Sequence, residues 1–221
     1  MGKIKIKNIF KHFKTISRHK YYVGKYCFEF GLYWQGITHD LSKFSPTEFW
    51  NSVKYYQGKR SPIDAEKEEK GYSEAWLHHK ARNKHHPWYW MDWDNKQRPI
   101  PQRIPRQYVY EMIADWIGAG IVYGSNSGQE WSWSEPYEYY KAHNRESASN
   151  FPIWEFATKA MIDYILVDLK EYGINYVADR IKRDYYGYRF YDNVRTEDKE
   201  VFNWLFDYND LVTKYYSEEE N

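Results

Sequence analysis

His19-Lys20-Tyr21-Tyr22-Val23-Gly24-Lys25-Tyr26-Cys27-Phe28-Glu29-Phe30 carries an apolar stripe at helical spacing. His19, Val23, Tyr26, Cys27 and Phe30 stand at i, i+4, i+7, i+8 and i+11, which an α-helix gathers on one face. The spacing predicts a helix over residues 5–35 with His19 on its inward side. A buried imidazole there needs a hydrogen bond or a metal ion. Gly31 and Gly36 loosen or end this helix, and a short second helix is expected to carry His39 and Asp40.

Further outward, Ser45-Pro46-Thr47-Glu48 reads as a helix start, with Ser45 as N-cap, Pro46 at the first helical position and Glu48 three residues after the cap. That helix runs through Phe49, Trp50, Val53 and Tyr56 to Gly58. Residues 58–72 read as a loop, and the mixed-charge run Asp64 to Lys70 as a solvated face or a single helical turn. Ser73 caps a helix through Trp76, Leu77 and the histidines His78, His79, His85 and His86, ending before Pro87. Residues 87–105 hold four prolines and read as a long irregular segment. A helix is expected from Pro105 to Tyr123, with Met112, Asp115, Ala119 and Val122 on one face. A loop is expected over 124–134 and a short polar-aromatic helix over 135–146. Pro152 opens an amphipathic helix to about Tyr172, and residues 174–184 and 197–217 add two more. No β alternation of useful length, internal repeat or sharp linker is present. The expected fold class is all-α: a helical domain over 1–150, with C-terminal helices over 151–221 packing on it or belonging to it.

Composition narrows the function classes. The chain has 221 residues, with 24 Tyr, 11 Trp and 11 Phe, so its core and any cavity wall are expected to be aromatic and rich in side-chain hydrogen bonds. A net charge of +1 excludes a strongly polyanion-binding protein on bulk charge. Residues 3–25 nonetheless carry Lys3, Lys5, Lys7, Lys11, Lys14, Arg18, Lys20 and Lys25 without an acid. That row is either a nucleic-acid- or phosphate-binding arm or a solvated helix face. The single Cys27 excludes an intrachain disulfide and a thiolate metal motif. No apolar run reaches the roughly 18 residues of a membrane span, and the basic N-terminus lacks the apolar core of a secretory signal. A cytoplasmic protein without a membrane partner is expected. The aromatic surplus could cover a homo-oligomer interface.

His39-Asp40 places an imidazole and a carboxylate on one backbone turn, and both suit divalent transition metals. A lone buried histidine is ordinarily a hydrogen-bonded core residue. His19, His39, Asp40 and Asp115 together supply two imidazoles and two carboxylates from three helices, which a helical bundle can aim at one point. Within one continuous helix, His78 and His85 would share a face, as would His79 and His86, and the inward pair could hold a second ion with Asp40 bridging. The Ser125–Gly128 stretch lacks the Gly-Lys-Ser/Thr ending of a phosphate loop, and no nucleophile elbow is present.

The order His19, then His39-Asp40, then Asp115 resembles the HD-domain metal-dependent phosphohydrolases. Lys43 matches the lysine common after that family's His-Asp pair, whereas Ser42 stands where Gly is common. Gly71-Tyr72-Ser73-Glu74-Ala75-Trp76-Leu77-His78-His79-Lys80 and Asn83-Lys84-His85-His86 are similar to an uncharacterised family of small bacterial and phage proteins, over roughly residues 18–145. That family often has a basic residue after the final Asp, where this chain has Trp116. The resemblance implies an HD-like helical bundle, with His19, His39, Asp40 and Asp115 as metal ligands and one of each histidine pair on a second metal; His79 and His86 are assigned here. One or two divalent transition ions (Mn, Fe, Co, Ni or Zn) would supply metal-bound water as the attacking group. Lys43 and Arg82 would hold phosphoryl oxygens, Glu48 would serve as general base or supporting partner, and Trp88 and Trp90 could stack a nucleobase. The expected activity is hydrolysis of a nucleotide or related phosphoester. The alternatives are a di-iron oxygenase of HD-like fold and a non-catalytic nucleic-acid- or protein-binding inhibitory module with a structural metal.

Overall fold

The computed structural model describes residues 4–58, 60–128, 130–143 and 153–190. They form an all-α fold. Its helices are α1 (Ile6–Glu29), α2 (Tyr33–Thr38), α3 (Pro46–Tyr55), α4 (Pro62–Lys70), α5 (Glu74–Lys80), α6 (Arg106–Ser127), α7 (Glu135–His143) and α8 (Phe156–Phe190). Among the described residues no helix is long and apolar enough to cross a membrane. The expected helix over 197–217 lies outside the described residues.

The central pair is α1 against α6. The two run antiparallel, since Val23 meets Gly118 while Arg18 donates to Asn126 Oδ1 (3.4 Å) and Ser125 Oγ (3.1 Å). Their approach depends on Gly118: a Cβ there would lie 2.6 Å from Val23 Cγ2 and 3.1 Å from Val23 N. Val23 and Cys27 of α1, with Phe30 just past its end, meet Met112, Ile113 and Ile117 of α6 in one apolar cluster. That cluster continues into α8 through Ile162, Leu166, Leu169, Val177 and Ile181. Burial of such side chains contributes about 1.5–3 kcal/mol each.

Several elements differ from the sequence expectation. The run Asp64 to Lys70 belongs to a full helix, α4, with Ser61 accepting from Ile63 N (3.3 Å) and Pro62 in its first turn. Its inward Glu66 is tolerated because Lys70 Nζ (3.0 Å) and Ser73 Oγ (2.5 Å) both donate to it. Helix α5 stops at Lys80, so His85 and His86 stand on the turn after it. Residues 91–101 include a short antiparallel ribbon, β1 (Met91–Trp93) with β2 (Pro99–Pro101), pairing Asp92 with Ile100. Asp94 holds its turn, accepting from Lys96 N and Arg98 N at 2.8 Å each. Helix α6 continues through Gly124-Ser125-Asn126, where Arg18 ties its last turn to α1. Helix α8 opens at Phe156 rather than Pro152 and is broken at Gly173 (φ +75°), between the two helices expected there.

Candidate metal centre

His19 stands at the middle of α1, facing Asp115 on α6. His39 and Asp40 come from a tight turn and not from a helix as expected. Helix α2 ends at Thr38, His39 caps it, and Asp40 adopts the left-handed conformation (φ +53°) before a 3₁₀ turn over Leu41–Phe44. Lys20 fixes this turn to α1 by donating to Ile37 O (2.7 Å) and His39 O (2.9 Å). Such contacts satisfy carbonyls that the end of a helix leaves unpaired.

Asp40 divides its carboxylate between two groups of imidazoles. Its Oδ2 lies 3.4 Å from His19 Nε2 and 3.2 Å from His39 Nε2. Its Oδ1 lies 3.3 Å from His79 Nε2 and 3.5 Å from His85 Nε2. Asp115 repeats the pattern, with Oδ1 3.0 Å from His19 Nε2 and Oδ2 3.6 Å from His85 Nε2. Ligand atoms of His19, His39, Asp40 and Asp115 all fall within 4.8 Å of one another, as do those of Asp40, His79, His85 and His86.

Six ligand atoms of these two groups are sealed from water without hydrogen bonds of their own. The Nε2 atoms of His19, His39, His85 and His86 and both Asp40 oxygens are buried with no hydrogen-bond partner. Each such atom costs about 1–3 kcal/mol. Lys43 Nζ approaches Asp40 Oδ2 at 2.5 Å, an ion contact that lacks hydrogen-bond alignment. Four imidazole nitrogens facing a shared carboxylate form a donor set that borderline divalent ions take up, so the residues fit a metal.

The remaining imidazole nitrogens are committed elsewhere. Glu111 Oε1 accepts from His39 Nδ1 (2.9 Å) and His85 Nδ1 (3.1 Å). Glu48 accepts from His79 Nδ1 through Oε2 (2.8 Å) and from His78 Nδ1 through Oε1 (2.6 Å). An ionised carboxylate only accepts, so these bonds assign the proton to Nδ1 and leave Nε2 of His39, His79 and His85 free to ligate. The trio His39, His85 and Glu111 is also within ligand distance. It reads better as this support, because the Nε2 atoms already converge on the aspartates. Burial raises the Glu48 and Glu111 carboxyls, but the histidine hydrogen bonds outweigh it and hold both below the usual range. Asp40 and Asp115 are likewise pulled well below theirs, burial being overcome at Asp40 by His39, Lys43 and His79, and at Asp115 by His19 and His39. His86 is pushed well down, first by burial and then by His85 and His79, so it is a neutral imidazole.

The other residues singled out from the sequence fall at varying distances from this centre. His79 and His86 stand in the second group together with His85, while His78 turns to Glu48. Seven-residue spacing failed to sort the pairs because α5 ends between them. Glu48, at the helix start capped by Ser45, spends its carboxylate on the two histidines. Lys43 combines the Asp40 contact with partial exposure. Arg82 is exposed and donates to His78 O (3.2 Å). Trp88 packs edge-on against Trp76, which in turn packs edge-on against His86. Trp90 is tied down by donating to Lys84 O (2.7 Å) and lies against Tyr108. Sequence reading missed Glu111, although it lies four residues before Asp115 and hence on the same face of one helix.

Residues 8–167, which span the whole constellation, match a family of unknown function, DUF5662. The chain belongs to the DUF5662 family. Comparison with curated proteins and with solved structures finds no match to either. The DUF5662 match covers α2 to α7, most of α1 and the first part of α8.

Proposed function

We propose that the protein is a metal-dependent phosphohydrolase acting on a nucleotide or related phosphoester. The observation that carries the reading is the division of Asp40, with one oxygen turned to each of two histidine groups. The resemblance to HD-domain phosphohydrolases supports it. His19, His39, Asp40 and Asp115 would hold one ion, and Asp40, His79, His85 and His86 a second. A divalent ion bound there polarises a phosphoryl oxygen and lowers the pKa of bound water.

The protein's own groups do the rest. Glu48 and Glu111 keep four imidazoles in one tautomer and orientation. Lys43 is held charged above the ordinary lysine range, because Asp40 and Asp115 outweigh its burial. Partly exposed, it stands where an entering phosphoryl group would need its charge offset. Trp88, exposed and packed edge-on against Trp76, would supply a stacking surface for a nucleobase. Arg82 would have to leave His78 O to reach a phosphate.

The test is elemental metal analysis beside phosphate release from a nucleotide panel with Mn, Co, Ni, Fe and Mg in turn. Wild type should carry a transition metal and release phosphate. Asp40→Asn, which keeps the shape and removes the charge, should lose both. Metal binding without phosphate release under any ion would sink the hydrolase reading. Iron with oxygen-dependent colour would replace it with the di-iron oxygenase reading.

A further inference from the structure

The structure divides the basic row of residues 3–25 among different tasks. Lys20 donates to Ile37 O and His39 O, and Arg18 to Asn126 Oδ1 and Ser125 Oγ. Lys25 lies 3.7 Å from Glu29 Oε1, and Lys14 stands in a depression beside Phe13 and Tyr21. Lys7 and Lys11 instead line a separate cavity of about 410 Å³, where the start of α1 meets the end of α6 and the loop after α3. Asn8, Tyr56, Gln57 and Asn126 add amides and a phenol to its wall, and no carboxylate lines it. Both lysines are exposed, and neither has an ion pair among the described residues. Helix α1 also starts here with no capping side chain and no acid in its first turn. Ammonium, amide and phenol donors without an acid to neutralise them suit a phosphate group.

A line of partly exposed groups joins this cavity to the metal centre. Lys43, beside Asp40, acts electrostatically on His12 and on Tyr123 of α6. Tyr123 in turn feels Tyr56. Tyr56 packs edge-on against His12, shares a hydrogen bond with Thr15 Oγ1 (2.8 Å) and forms part of the cavity wall. Asp64 on α4 adds a carboxylate near Tyr123 but does not line the cavity. Along α1, Lys11 precedes His19 by eight residues, or about 12 Å. Phosphates joined within one mononucleotide lie closer together than that. The distance matches three to four steps of a stacked strand at about 3.4 Å each.

We propose that the cavity between Lys7, Lys11 and Asn126 is a second phosphate subsite, and that the substrate is a short nucleotide chain that reaches from it to the metal centre. The substrate assignment rests on the phosphohydrolase reading, whereas the cavity's grip on a strand can be measured without turnover.

The test compares wild type with the full-chain variant Lys7→Gln/Lys11→Gln, and with Lys14→Gln/Lys25→Gln as a control of equal charge loss. The first readout is anisotropy of fluorescein-labelled, 5′-phosphorylated tetrathymidylate on chelator-treated protein. Lys7→Gln/Lys11→Gln should bind it at least about tenfold more weakly, with a salt slope smaller by about one to two. The control should bind as wild type does. Equal binding by wild type and Lys7→Gln/Lys11→Gln overturns the subsite. An equal loss in the control also overturns it, because the attraction is then a diffuse basic surface. The second readout is phosphate release by the metal-loaded proteins. The kcat/KM for tetrathymidylate relative to thymidine 5′-monophosphate should fall about tenfold in Lys7→Gln/Lys11→Gln, and an unchanged ratio overturns the chain-length assignment. Inorganic phosphate that displaces the strand from wild type as tightly as unlabelled tetrathymidylate does would make the cavity a free-anion site and overturn it too. No phosphate release from either nucleotide, with the binding difference intact, counts against the hydrolase reading and supports the cavity as a strand-binding site.

Discussion

Glu111 and His12 show two different fates for a buried titratable side chain. Glu111 aims His39 and His85 through their Nδ1 atoms. Glu111→Gln keeps the shape and weakens both bonds. It should lower metal affinity roughly 10- to 100-fold while leaving helical content intact, as read by calorimetric titration beside circular dichroism. His12 is buried between Phe49 and Tyr56 with its Nδ1 unpartnered, and its pKa falls from 6.5 to about 4, by burial first and the Lys43 charge second. The unfolded chain therefore takes the extra proton in the interval between those values. Stability should be full above about pH 6.5 and fall as pH drops toward 4, by up to roughly 3 kcal/mol. Urea titrations of the metal-free protein across that range would read the loss, and His12→Leu should remove the His12 share of it while the share from His86, also held neutral by burial, remains. His19, His39, Asp40 and Asp115 could be picked out in sequence because each type ligates metals and each falls on a readable segment. Glu111 and His85 could not be assigned, because whether a side chain supports or ligates depends on which ring nitrogen faces which carboxylate.

Helix boundaries decide how the second histidine group assembles. A continuous helix from Ser73 to His86 would pair His79 with His86 and turn His85 to the His78 side. Ending at Lys80 brings His79, His85 and His86 together. The sequence signalled where α3 and α5 begin, because Ser45 and Ser73 are capping residues in fact as well as in pattern. It did not signal where α5 stops, since no glycine or proline marks that end. Helix α4 was obscured because a charge-rich run looks solvated until the Ser73 and Lys70 contacts of Glu66 are known. The α1–α6 pair gives the sharpest element-level expectation. Gly118 follows Asp115 by three residues and touches Val23, four residues after His19. Gly118→Ala should push the helices apart, cost about 1–3 kcal/mol and weaken metal binding by separating His19 from Asp115. Thermal melts and metal titrations should fall together. Gly124→Ala, with nothing within 4 Å of its added Cβ, should leave metal binding unchanged.

Taken whole, the molecule joins α1, the His39–Asp40 turn, the α5 segment and α6 at one buried point. An ion that binds only the folded state should stabilise it by about 2.7 kcal/mol at one hundred times its dissociation constant. That corresponds to a rise of roughly 5–10 °C in melting temperature for a chain of this size. Differential scanning calorimetry with and without a chelator would read it, and Asp40→Asn should show no rise. The all-α architecture was legible from helical spacing and the lack of strand alternation, whereas the ribbon over 91–101 was not, because two three-residue strands leave no period to read. The left-handed backbone at Asp40 adds a constraint of another kind. Most L-residues pay about 1–2 kcal/mol there, while Gly, Asn and Asp adopt it readily. A saturation library at position 40 should thus split into two tiers, with Asn and Gly among the well-folded members and Asp alone retaining the ion. Conformation narrows the alphabet to three letters before chemistry selects one.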